Sequence, residues 1–126
     1  MNIKKFKVGE TVYIRDYGYR SDEANATMKE ATVTKVASKY VTVKTGSFDT
    51  EYKFHNEQQR LYYLVERVSA GSGNKLFHTM QDYKDWVESD QLYAEIRSCF
   101  RNYYTDLTLD QLKRIKKIIE EDKERG

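Results

Sequence analysis

The chain has 126 residues, of which 33% are charged and 39% hydrophobic, with a net charge of +2. That length supports one domain, or a small domain with a helical appendage. An aromatic content of 13% argues against a disordered chain, and so mild a charge does not by composition establish nucleic-acid binding.

Cys99 is the one cysteine, which excludes a disulfide framework and an intrachain thiolate zinc site. No apolar run approaches the ~20 residues of a membrane span. The basic residues near Met1 are followed by no apolar segment of the signal-peptide kind. The expected setting is a reducing cytoplasm.

In chain order, residues 6–15 read as a strand, with Val8, Val12 and Ile14 on one parity and Thr11, Tyr13 and Arg15 on the other. Gly9-Glu10 signals a turn or bulge at its start. Residues 16–29 are polar and irregular and read as a long exposed loop. Residues 30–37 alternate again, with Ala31, Val33 and Lys35 opposite Thr32, Thr34 and Val36. Tyr40-Val41-Thr42-Val43-Lys44 is the clearest strand, being β-branched or aromatic for most of its length. Phe48 to Phe54 is a fourth strand and Leu61 to Val65 a fifth. Closely spaced turn signals between short strands predict a small, curved antiparallel sheet or barrel.

Ala70-Gly71-Ser72-Gly73-Asn74 is rich in Gly and Ser and marks a boundary. Thr79 offers a helix N-cap, with Asp82 in the first turn. Tyr83, Trp86 and Val87 stand at helical spacing. Leu92, Ile96, Cys99, Phe100 and Tyr103 form a second stripe, out of phase with the first around Ser89-Asp90. One interrupted helix accounts for both, and Cys99 then belongs to a buried apolar face. Thr108-Leu109-Asp110-Gln111 has the capping-box pattern. It opens a last helix with Leu109, Leu112, Ile115 and Ile119 inward and Lys113, Arg114, Lys116 and Lys117 mostly outward.

The resulting expectation is an α+β chain. A five-stranded antiparallel barrel or curved sheet occupies 1–69, a linker 70–78, and two to three helices, packed on the barrel, occupy 79–126. Residues 1–69 carry 12 Lys and Arg against 9 Asp and Glu, so the positive excess lies in the β-half.

Catalytic and metal chemistry find little support. His55, His78 and Cys99 lack local ligand spacing, and both histidines are expected at the surface. The carboxylate pairs Asp49/Glu51 and Asp82/Asp85 look like solvated strand and helix faces. No metal, cofactor or catalytic residue is expected, and the chain reads as a non-enzyme.

The candidate partner-binding residues are Tyr13, Arg15, Tyr17, Tyr19 and Arg20, with Lys39 and Tyr40 in the next turn and strand. Interleaved rings and cations serve bases and phosphates. Tyr and Arg equally anchor protein interfaces, or simply pair across a small sheet.

The opening Phe6-Lys7-Val8-Gly9-Glu10-Thr11-Val12-Tyr13-Ile14 resembles the first strand of small KOW/Tudor-like barrels. Residues Val33 to Val43, a helix containing Tyr83 and Ile96, and Leu107-Thr108-Leu109-Asp110-Gln111-Leu112 extend the likeness over nearly the whole chain. The pattern resembles small β-barrel accessory proteins encoded by phages and prophages of Gram-positive bacteria. The resemblance implies a bacterial cytoplasm and a host protein as partner, with a CRISPR nuclease or its RNA complex among the candidates. The first functional expectation is therefore an anti-CRISPR-like inhibitor acting through the loop at 16–29. The alternative is a nucleic-acid-binding module using the barrel face, and a metal-dependent nuclease ranks third.

Overall fold

The computed structural model describes residues 1–17, 26–46, 50–57, 59–68, 73–102 and 107–124. The chain divides into two compact units, Met1–Ser89 and Asp90–Gly126. The first unit opens with a 3-10 turn, Ile3–Lys5, and continues with β1 (Thr11–Asp16), β2 (Thr27–Val36), β3 (Val41–Lys44), β4 (Glu51–His55), β5 (Leu64–Glu66) and β6 (Lys75–Phe77). Each strand pairs antiparallel with the next, and β6 pairs back onto β1, closing a barrel. Closure leaves no free sheet edge, so short strands suffice. The expected β-barrel followed by helices is the observed architecture. Its sixth strand comes from the segment read as a linker.

The core follows from period-two alternation. Val12 and Ile14, Ala31 and Val33, Val41 and Val43, with Phe54, Leu64 and Leu76, all point into the barrel and are buried. Phe6, just before β1, plugs the same cluster. Each fully buried large side chain contributes about 1.5–3 kcal/mol relative to exposure.

β1 begins at Thr11, later than the alternation from Val8 predicts. Val8 is exposed in a turn where Gly9 has φ of 93°. That conformation favours glycine. The turn is closed by Glu10 N–H donating to Lys7 O at 3.1 Å, while Gly9 N–H donates to Val33 O at 2.9 Å.

β2 reaches back to Thr27, into the segment read as loop. Its N-terminal half pairs with β1 and its C-terminal half with β3. The register shifts between Val33 and Lys35, a β-bulge that bends the strand around the barrel. The extra residue reverses parity. Val33 faces the core before the bulge and Val36 packs against it afterwards, so Lys35 does not share the inward face with Ala31 and Val33. At the β1–β2 end, Lys29 Nζ meets Asp16 Oδ2 at 2.7 Å. The hydrogen bond that it donates to the Asp16 carboxylate holds the Lys29 ammonium above its ordinary range.

The N-terminal part of α1 (Met80–Asn102) belongs to this unit. Its start is a reciprocal capping box. Asp82 N–H donates to Thr79 Oγ1 at 3.1 Å, and Thr79 N–H donates to Asp82 Oδ2 at 3.1 Å. α1 runs through Ser89-Asp90 as one α-helix, without the interruption that the phase change implied.

The second unit holds the remainder of α1 and α2 (Leu109–Glu124). The predicted cap of α2 is present: Gln111 N–H donates to Thr108 Oγ1 at 3.1 Å, and Thr108 N–H donates to Gln111 Oε1 at 2.9 Å. The predicted inward faces are not buried. Leu92, Ile96, Phe100, Leu109, Leu112 and Ile119 are exposed, Ile115 is half-buried, and Cys99 is exposed rather than enclosed in a core. Periodicity reveals an apolar face but not what covers it.

Candidate functional site

The candidate residues of the sequence fall in two places. Arg15, Tyr17 and Tyr13 leave the barrel on β1 or just after it. There β1 lies beside β6, with Tyr13 opposite Phe77 and Arg15 opposite Lys75. This outer face is covered by the start of α1. Phe77 is buried between Tyr63, Tyr83 and Trp86, with ring centroids 5.7, 5.3 and 5.6 Å away. The Arg15 guanidinium lies 5.5 Å from the Tyr83 ring centre.

Tyr17 is buried and donates its N–H to Asn74 Oδ1 at 3.0 Å. Lys75 Nζ donates to the Tyr17 hydroxyl at 2.6 Å and stands 4.3 Å from that ring's centre, toward its hydroxyl end. The same ammonium is 5.3 Å from the rings of both Tyr63 and Trp86. Rings and cation satisfy one another here, so Arg15 meets the helix directly through Tyr83, and Tyr17 is linked to Trp86 through the Lys75 ammonium. Tyr19 and Arg20 lie outside the described residues.

Lys39 and Tyr40 stand elsewhere, at the turn into β3. Tyr40 borders a groove of about 410 Å³ lined by Thr34, Lys35, Ala37, Thr42, Lys44, Glu51 and Lys53. Lys39 borders a neighbouring hollow of about 330 Å³ with Ile3, Ser38, Asn56 and Glu57.

The groove follows from pairing. Lys35, Thr42 and Lys53 are register partners across β2, β3 and β4. Strand spacing places the two lysines on the order of 10 Å apart at the backbone. The next row holds Lys44 opposite Glu51, an ion pair of 3.6 Å. One row is thus neutralised, while the Lys35–Thr42–Lys53 row carries two cations and no carboxylate. The bulge in β2 makes this possible by turning both Thr34 and Lys35 toward the groove. Thr34 Oγ1 also donates to Thr42 O at 3.2 Å across it.

At the rim, the Arg67 guanidinium lies 5.4 Å from the Tyr40 ring centre, and His55 meets that ring edge-on at 6.4 Å. Arg67 N–H donates to Lys53 O at 2.9 Å, which ties the rim to β4.

Lys35, Lys44, Lys53 and Arg67 were absent from the candidates drawn from sequence. The signal for Lys44 and Lys53 was present in the alternation Tyr40-Val41-Thr42-Val43-Lys44 and Tyr52-Lys53-Phe54, which sends polar side chains outward on adjacent strands, whereas the bulge concealed Lys35, and Arg67 follows β5 outside any alternation.

The histidines are both half-buried rather than at the surface. His78 Nε2 lies 3.2 and 3.3 Å from the two carboxylate oxygens of Glu10, and its ring meets Phe6 edge-on at 4.8 Å. Burial pushes the Glu10 carboxyl upward, but hydrogen bonds from Lys7 N–H and His78 outweigh it and hold the group below the usual range. Among the described residues, no three His, Cys, Asp or Glu gather to hold a metal ion, and no helix is long and apolar enough to cross a membrane.

No curated protein and no solved structure matches the chain. A family model described as the phage ProQ C-terminal-like domain matches residues 1–124. That match spans both the barrel and the helices, so the chain belongs to the family of phage ProQ C-terminal-like domains.

Proposed function

We propose that this protein is a non-catalytic phage module that binds single-stranded nucleic acid on the outer face of β2, β3 and β4. The carrying observation is the Lys35–Thr42–Lys53 row, whose two cations have no carboxylate in register. Lysines supply the backbone charge that such a ligand requires, Thr34 supplies an exposed hydroxyl, and the Arg67-backed Tyr40 ring supplies a stacking surface. Fluorescence anisotropy with a labelled single-stranded oligonucleotide tests the reading. The expected result is binding at low salt that weakens at least tenfold in K35E/K53E. Equal binding by the wild type and the charge-reversed variant rules it out.

The second reading is an inhibitor of a host defence complex, of anti-CRISPR type, working in the cytoplasm of a Gram-positive host. It is favoured by membership in a phage family and by the Tyr and Arg residues that follow Tyr17 in the sequence, Tyr19 and Arg20. Here the partner is a protein, and the tethered chain would retain it from host lysate in high salt. Retention unaffected by K35E/K53E separates this reading from the first.

A further inference from the structure

The second unit, Asp90–Gly126, poses a problem of its own. It contains two stretches of amphipathic helix and no strand among its described residues. On α1, Leu92, Ile96 and Phe100 form one apolar stripe, and on α2, Leu109, Leu112 and Ile119 form another. All six are exposed, from 48% for Leu92 to 68% for Leu109. Short helices gain most of their stability in water from burying such a stripe. Here the capping boxes are formed while the stripes they introduce have no cover.

We propose that a second copy of this chain covers them, so that the protein is a two-fold symmetric dimer joined through its helical units. The area fits. These six side chains together expose on the order of 600 Å², the share each partner contributes at the lower end of stable interfaces. Single apolar side chains scattered over a surface are ordinary, but each of these stripes aligns three on one helix.

The charges also fit a copy of itself better than a polyanion. Residues 90–126 carry eight Asp and Glu and eight Lys and Arg, so two such units meet without net repulsion and offer nucleic acid no net attraction. Two helices from each copy supply the four that close an apolar core in a helical bundle, and a two-fold axis lets each stripe meet its complement twice. The proposal is independent of the nucleic-acid reading, because the groove lies on the barrel unit.

Sedimentation equilibrium of the full chain at about 100 µM, a concentration that populates even micromolar dimers, should give twice the 15.0 kDa chain mass. The double variant I96E/I119E should sediment as a monomer while keeping the barrel's near-ultraviolet circular dichroism. A monomeric wild type, as when the helices fold back on their own chain, overturns the proposal, and so does a dimer unaffected by the double variant. Should the variant fail to fold, C99S/R101C carrying a nitroxide decides the matter. Dipolar coupling between labels on two copies supports the dimer, and its absence at the same concentration overturns it.

Discussion

Lys75 and Tyr17, distant in sequence, are joined by a 2.6 Å hydrogen bond from the Lys75 ammonium to the Tyr17 hydroxyl. That bond closes β6 against the end of β1, beneath the rings of Tyr63 and Trp86. Trp86→Ala should therefore destabilise the barrel unit by about 2–3 kcal/mol, less than a fully buried Trp because the ring is half-exposed. Lys75→Met keeps the apolar stem and removes the cation, at a cost of about 1 kcal/mol. Urea unfolding followed by circular dichroism measures both, and a larger cost for Lys75→Met than for Trp86→Ala would mean that the ammonium matters more than the ring.

Gly73 allows β5 and β6 to approach. A Cβ there would stand 2.7 Å from Glu66 O and 2.8 Å from Glu66 Cβ. Gly73→Ala should cost about 1–3 kcal/mol, as overpacked sites do. Gly46 has open space around the same position, so Gly46→Ala should be neutral or stabilising by up to about 1 kcal/mol. Thermal melts of the two variants should move apart.

Glu10 gives the barrel unit an acid-sensitive contact. Its carboxyl is held below the usual range by Lys7 N–H and His78, against an opposing push from burial. A depressed carboxyl contributes stability that is present above its unfolded-state value and lost as pH falls through its folded-state value. The loss therefore begins at the ordinary glutamate range and continues below it. Glu10→Gln should flatten that part of a plot of unfolding midpoint against pH. Parallel curves for the variant and the wild type between pH 5 and 3 would exclude the contact as a source of the sensitivity.

The groove makes a prediction about salt. Each phosphate contact on a single strand contributes about 0.7 to the slope of log affinity against log salt. Lys35→Ala and Lys53→Ala should each lower the slope by roughly that amount, and together by twice it. Tyr40→Ala should weaken binding by about 1–3 kcal/mol while leaving the slope unchanged, because stacking releases no counterions. Anisotropy titrations across a salt series separate the two contributions.

Much of the fold was legible from local pattern. Val41-Thr42-Val43 and the Thr79 and Thr108 caps are short-range features, set by side-chain alternation and by hydrogen bonds within a few residues. β6 was not legible. Lys75-Leu76-Phe77 is too short to show a period, and it becomes a strand because β1 and β5 offer it partners on both sides. The bulge between Val33 and Lys35 was equally hidden, since one extra residue reverses parity without any marker such as Gly.

The candidate site divides along the same line. The sequence by itself determined that Tyr and Arg cluster after β1, that Lys39 and Tyr40 adjoin a strand, and that two apolar stripes follow Ser89. Tertiary structure decided the use of each. Barrel closure brought β6 beside β1, and with it the Tyr83 ring against Arg15 and the Lys75 ammonium against Tyr17, so these cations and rings contact one another. Pairing across three strands put Lys35 and Lys53 in one row, although seventeen residues separate them in sequence. The physical reason is register: alternation along a strand says which side chains point outward, while hydrogen-bonded pairing alone says which of them meet.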